Sequence, residues 1–334
     1  EVSKGPSNIF VGYVKDECTS KIRKYRLDGE DIELVLERTP FYAEQGGQVG
    51  DTGTISMDDF LIEITDTRKN GEDISHFGKI KSGDIQNTTE VVAKINKNRR
   101  NRIRLNHTAT HLLQQALKMV MGDHVHQAGS HVGPDRLRFD LTHFERIDIK
   151  ELSKIEDIVN SAIRNNTFLD IQVMSFDKAR EDGAVALFGE KYGDEVRVVD
   201  VPGFSKELCG GTHVERTGDI GAFKIVTESA LASGVRRIEA ITGNAVIDLI
   251  HEQESIINNL KDLLKTSVDQ IPERIDSILN EKKLMGKELS EFKKGSQKNQ
   301  VEDLVRQSRV VNGIKVIVEL LDEGSITIAQ VQKS

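Results

Sequence analysis

Asn106-His-Thr-Ala-Thr-His-Leu-Leu-Gln-Gln-Ala-Leu-Lys-Met-Val-Met-Gly122 is the stretch in which the hydrophobic period of this chain changes. Before it, apolar residues alternate in short runs. Within it, Leu112, Leu113, Ala116, Leu117 and Val120, with Leu105 just upstream, recur on one helix face, and Gly122 supplies the stop. The spacing predicts a helix over 96–121. His107 and His111 lie four residues apart and therefore side by side on it.

Upstream, Phe10-Val11-Gly12-Tyr13, Ile32 to Leu36, Thr54-Ile55, Phe60 to Ile64 and Glu90 to Ala93 are strand-length runs. Asp-Gly, Gly-Asp-Thr-Gly and Lys-Ser-Gly-Asp turns separate them, a pattern that predicts a small β-barrel-like domain over 1–92. Downstream, Val125 to Leu141 alternates around Gly133-Pro134-Asp135, as in a hairpin with Leu137, Phe139 and Leu141 inward. Ile149 to Asn165 has helical spacing, and strands follow around 171–173, 196–199 and 222–226. Residues 93–243 are thus expected to form a two-layer α/β domain, which makes the fold class α+β.

From Val246 to Ile271 the apolar residues recur every three or four positions, a coiled-coil-like seam in a helical segment over 244–309. Pro272 is expected to stop that helix and open a second, which ends near Gly295-Ser296, with a short third helix from Val301 to Arg309. Ile314 to Leu321 and Ile326 to Val331 read as strands joined by Asp322-Glu323-Gly324-Ser325, a partial α/β module over 310–334.

A chain of 334 residues has room for two or more domains. No apolar run approaches the ~18–20 residues of a membrane span, and the first residues carry no basic-then-apolar leader. The expectation is a cytoplasmic protein with no membrane partner. Cys18 and Cys209 are too few for the disulfide framework of a small secreted domain. With 46 Lys and Arg against 54 Asp and Glu, contact with a nucleic acid would need a local basic patch rather than overall charge.

The chemistry-bearing residues cluster in two motifs, His107-Thr-Ala-Thr-His111 and Cys209-Gly-Gly-Thr-His213. Two imidazoles on one helix face, joined by a thiolate and a third imidazole from a distant segment, make a plausible tetrahedral Zn2+ set. A lone His pair at this spacing is more often a surface coincidence. The second motif, with Gly210-Gly211 allowing a sharp bend, shifts the balance to a metal. A helical metalloprotease needs Glu directly after the first His; position 108 is Thr.

Two further segments stay open between structure and function. Arg38 to Gly53 is glycine-dense with polar residues between, either a tight loop or a backbone that approaches a ligand. Lys94, Lys97, Arg99, Arg100, Arg102 and Arg104 lie within eleven residues without an acid, either a solvated helix face or a grip for a phosphate-bearing substrate.

Six ordered segments, 39–53, 106–113, 127–132, 137–140, 207–214 and 216–243, resemble the editing region of alanyl-tRNA synthetases and their free-standing AlaX trans-editing relatives. Threonyl-tRNA synthetases carry a similar His/His and Cys/His module, but segments 39–53 and 234–243 are of the alanyl type. The stretch before residue 9 is too short for a class II aminoacylation domain. The resemblance therefore implies either the editing part of a longer synthetase or a free-standing protein.

It also implies hydrolysis of the ester in tRNA(Ala) mischarged with serine or glycine, at a zinc held by His107, His111, Cys209 and His213. Thr39 and Gln127 would line the pocket, and Gly46 and Gly47 would bring backbone close to it. Glu44 or a ribose hydroxyl of the substrate would be the general base, and Arg99 and Arg100 would contact the tRNA. A homodimer through the C-terminal region is a further implied partner. The rival reading is a zinc-stabilised tRNA-binding module without catalysis.

Overall fold

Period-two alternation in the first 95 residues does close a barrel. A computed structural model describes residues 8–85, 90–186, 193–306, 308–311 and 314–316. The chain begins with β1 (Ile9–Phe10), β2 (Glu17–Asp28), β3 (Asp31–Leu36), β4 (Arg38–Thr39), β5 (Gly53–Met57), β6 (Phe60–Asn70), β7 (Asp73–Ser82) and β8 (Glu90–Ile95). Six of these form a closed barrel in the order β2-β3-β7-β6-β5-β8, every neighbouring pair antiparallel. Closure removes the open edges of so small a sheet. The alternating residues Ile32, Leu34 and Leu36, Ile62 and Ile64, and Val91, Ala93 and Ile95 fill the interior. The short β1 pairs in parallel with β4 outside the barrel.

Two barrel strands, β2 and β7, were not expected. β2 reads Glu-Cys-Thr-Ser-Lys-Ile-Arg-Lys-Tyr-Arg-Leu-Asp and is exposed over most of its length, so it lacks the apolar rhythm that marks a half-buried strand. The closing strand β8 also runs three residues past the expected boundary at 92.

The second part contains α1 (Lys97–Met121), β9 (Gln127–Val132), β10 (Leu137–Thr142), α2 (Ile149–Arg164), β11 (Asp170–Ser175), α3 (Phe176–Glu181), β12 (Glu195–Val201), β13 (Ser205–Leu208), β14 (Phe223–Ala232) and β15 (Val235–Thr242). Asn96 caps α1 by accepting from the Arg99 amide at 3.0 Å, and Gly122 ends it at φ 104°. Asp148 and Glu151 form a capping box on α2. The predicted hairpin is β9–β10, part of a four-stranded antiparallel sheet ordered β14-β15-β10-β9. Leu137, Phe139 and Leu141 of β10 face inward as expected, sharing one core with Leu112, Leu113 and Leu117 of α1 and Ile155, Val159 and Ile163 of α2. A smaller sheet, β11-β12-β13, packs Val196, Val198 and Leu208 against Ala179 of α3.

Arg100, expected at the surface as a tRNA contact, is instead fully buried. Its guanidinium is ion-paired with Asp51 of the glycine-dense segment, and it donates to the carbonyls of Gly12 at 2.8 Å and Pro40 at 2.9 Å. Nε, Nη1 and Nη2 all serve to join α1 to the loops beside the barrel, and the buried guanidinium is not presented to a phosphate at the surface.

The helical segment differs from expectation in its breaks. α4 (Asn244–Leu264) ends earlier than Ile271, with Lys265 at φ 50°. α5 (Ile271–Arg306) starts with Pro272 in its first turn and runs through Gly295-Ser296 without stopping. Glycine costs about 1 kcal/mol relative to alanine in a helix, which flanking Lys and Glu residues offset. β16 (Arg309–Val311) pairs with β17 (Ile314–Val316), and among the described residues 301–306 continue α5 instead of forming a separate third helix. The expected strand 326–331 and the join at 322–325 lie outside the described residues. The described residues up to Ile250 form one compact unit and those from His251 a second. None of the described helices is long and apolar enough to cross a membrane.

Candidate metal centre and its cavity

The two motifs meet. α1 presents His107 and His111 as stacked rings 5.4 Å apart, and β13 leads directly into Cys209-Gly-Gly-Thr-His213. One ligand atom from each of His107, His111, Cys209 and His213 lies within 4.8 Å of all the others. The Cys209 Sγ is 3.4 Å from His107 Nε2 and 3.3 Å from His213 Nε2. Tetrahedral zinc with bonds of about 2.0–2.3 Å sets its donors roughly 3.3–3.8 Å apart.

Each ring nitrogen facing away from the cluster has an oxygen partner. His107 Nδ1 donates to Gln48 Oε1 at 2.7 Å, His111 Nδ1 to Glu207 Oε2 at 2.6 Å, and His213 Nδ1 lies 3.1 Å from Thr108 Oγ1. Partners of this kind fix tautomer and ring orientation, leaving the Nε2 atoms to converge. Gln48 is fully buried, and the same Oε1 accepts from the Thr212 amide at 2.9 Å, so one side chain braces both ligand segments.

The bend between Cys209 and His213 requires glycine at position 211, because an added Cβ would sit 2.0 Å from His107 Cε1. The Gly211 amide donates to the Cys209 sulfur at 3.4 Å. Arg197 donates to the carbonyls of Cys209 and Gly211 and stacks over Tyr13, whose hydroxyl donates to the Gly210 carbonyl at 2.6 Å.

Burial alone would push the Cys209 thiol up, but His107, His213 and His111 around it hold it well below the ordinary thiol range. Burial opposes charge on His111, yet Glu207 and Cys209 raise it well above the usual imidazole value. Burial drives His213 down to about 3, which keeps it a neutral donor. A thiolate among imidazoles, each braced from behind, is the chemistry zinc selects, and zinc would take the place of the proton that His111 otherwise holds.

Three of the four donors, His107, His111 and Cys209, also form part of the wall of a cavity of about 250 Å3. The glycine-dense segment contributes Tyr42, Gln45 and Gly46, α1 contributes Thr110 and Gln114, β9 contributes Gln127 and Ser130, and β12 contributes Glu195 and Arg197. Of the residues expected from the sequence, Gln127 and Gly46 are therefore on the wall. Gly47 is behind it, at φ 79° and packed so closely on Ser130 that a Cβ would lie 2.4 Å from its Oγ.

Thr39 is elsewhere. It is fully buried, with its hydroxyl 2.7 Å from His76 Nε2, and does not line the cavity. Glu44 is exposed and off the wall, its amide bonded to the Thr67 carbonyl. Arg99 is half-buried and donates to the Gly50 carbonyl at 2.8 Å. Around it, Lys94 pairs with Glu17, Lys97 with Asp16 and Arg102 with Asp135. Acids distant in sequence thus balance the basic run, which its local composition could not show.

Gln48, Thr108, Glu207, Thr110 and Gln114 are the residues that sequence reasoning passed over. Thr110 and Gln114 follow His107 by three and seven positions, so with His111 they complete one polar stripe along a helix.

A family model described as the threonyl and alanyl tRNA synthetase second additional domain matches residues 196–239, which include Cys209 and His213. A second, described as tRNA synthetases class II (A), matches residues 7–99. The chain is 43% identical over 333 residues to an alanine–tRNA ligase of Acetivibrio thermocellus, covering 97% of this chain and 38% of the relative. It is 42% identical to that of Legionella pneumophila strain Corby and 43% identical to that of Haemophilus influenzae strain PittGG, covering 94% of this chain and 37% of each relative. The chain therefore spans well under half the length of these relatives. Identity at this level across nearly the whole chain, with one matched domain carrying two of the four clustered donors, places the chain in the alanyl-tRNA synthetase family.

Proposed function

We propose that this part of the synthetase is a deacylase that hydrolyses the ester of Ser-tRNA(Ala) and Gly-tRNA(Ala). The need follows from pocket energetics. Serine is alanine plus a hydroxyl, which an aminoacylation pocket rejects by only about a hundredfold, and glycine simply fits. A second, hydrolytic site supplies the remaining accuracy.

The observation that carries this reading is that three of the four clustered donors line a cavity instead of being enclosed. A metal that only staples an RNA-binding module has no use for a small polar chamber beside it. His107, His111, Cys209 and His213 would hold Zn2+, which when bound polarises an ester carbonyl or lowers the pKa of water. Gln127 and the Gly46 backbone orient the acyl and ribose ends. Glu207, on the wall, is engaged by His111. Glu195, exposed at the cavity, or the substrate's own ribose hydroxyl is left to take the proton from water.

The test is incubation of the chain with Ser-, Gly- and Ala-tRNA(Ala). Release of serine and glycine well above the buffer rate, with alanine retained, is the expected result. Tight tRNA binding without release would replace this reading by the binding module.

A further inference from the structure

One side chain on the cavity wall neither belongs to the donor cluster nor braces it. Gln114 of α1 is 5% exposed and lines the cavity, three residues beyond His111 on the His107–Thr110–His111 stripe. Among the described residues its amide has no hydrogen-bond partner, and its polar atoms are not sealed from solvent but open to the cavity. Its neighbours on the wall are committed: Thr110 donates to the Asn106 carbonyl at 2.8 Å, Tyr42 to the Gln45 carbonyl at 3.1 Å, and Glu207 holds His111. A primary amide offers two donors and a carbonyl acceptor, and with no protein partner these are met by cavity water until a ligand that can match them takes its place.

We infer that Gln114 is a specificity-determining residue of this site, hydrogen-bonding the side-chain hydroxyl of a bound seryl group. This rests on the deacylase reading and adds the means by which alanine is refused. A seryl hydroxyl both donates and accepts, so it satisfies the amide. A glycyl group leaves space for a water that does the same. An alanyl methyl fills that space with no polar atom and strands the amide out of water. Sites built to hydrogen-bond a substrate hydroxyl reject the analogue lacking it far more strongly than apolar pockets reject an added group. Gln114 therefore discriminates by what it is left without.

The test compares binding of two stable amide analogues, 3′-(L-seryl)amino-3′-deoxyadenosine and its alanyl counterpart, by calorimetry on the zinc-loaded chain. Gln114→Met keeps the shape of the side chain, and Gln114→Leu is a second apolar variant should the first fold poorly. The wild-type chain is expected to prefer the seryl analogue by about tenfold or more, and either variant to reduce that preference to within about twofold. Zinc content should stay unchanged, since Gln114 makes no hydrogen bond to any of the four donors. A preference that survives in the variants, or is missing from the wild-type chain, would overturn the inference. Serine release from Ser-tRNA(Ala) is followed separately. Selective seryl binding without release would overturn the deacylase reading and leave this recognition standing.

Discussion

Thr39 and His76 show how one hydrogen bond reassigns a residue. Thr39 sits in a segment that carries the family resemblance, yet its hydroxyl is spent on a fully buried imidazole whose Nδ1 is 3.1 Å from the Leu34 carbonyl. Thr39→Val should therefore lower stability by about 1–3 kcal/mol, the cost of a buried unsatisfied group, and shift the urea midpoint accordingly. Serine and glycine release should fall together or not at all; a loss confined to serine would return Thr39 to the pocket. Burial lowers His76 to about 4, so the native state resists protonation while the unfolded chain titrates near 6.5. A depressed value means that stability is full above about pH 6.5 and is lost as pH falls toward 4, by about 3 kcal/mol in all. His76→Gln should flatten that slope in urea titrations at several pH values. At the metal, Gln48→Leu should weaken zinc binding by about 10–100-fold in chelator competition, because it frees His107 Nδ1 and the Thr212 amide together. Unchanged affinity would show that His107 needs no brace. That His107, His111, Cys209 and His213 could share an ion was legible from the two motifs together. Their braces were not, since Gln48 and Glu207 are ordinary polar residues until the fold brings them to the rings.

Elements follow periodicity where one face is buried and escape it where neither or both are. α1, α2 and the β9–β10 hairpin were legible because Leu112, Ile155 and Phe139 stand in regular register with a single core. β2 was not, being polar on a barrel's outer surface, and the break at Gly295 was an overreading of one weak helix residue. The join between α1 and the glycine-dense segment depends on Arg100 and Asp51, 0% and 1% exposed in their side chains. Removing one partner strands a buried charge, so Arg100→Met should cost about 3–5 kcal/mol in denaturant unfolding. The paired change with Asp51→Asn should recover part of it. If Arg100→Met unfolds like the wild type, the pair is not what holds the loop to the helix.

At the scale of the whole chain, a barrel brings the glycine-dense segment to the side of α1, and a separate β-rich segment brings Cys209 and His213 to the same place. A metal held by the four donors would link pieces more than a hundred residues apart in sequence. A zinc-dependent deacylase at this meeting point is tested most directly by titrating zinc into metal-stripped chain while following serine release from Ser-tRNA(Ala). Release is expected to rise with added zinc and level off at one equivalent per chain, and Cys209→Ala to abolish the response. Release that is indifferent to zinc, or none at full occupancy, would contradict it.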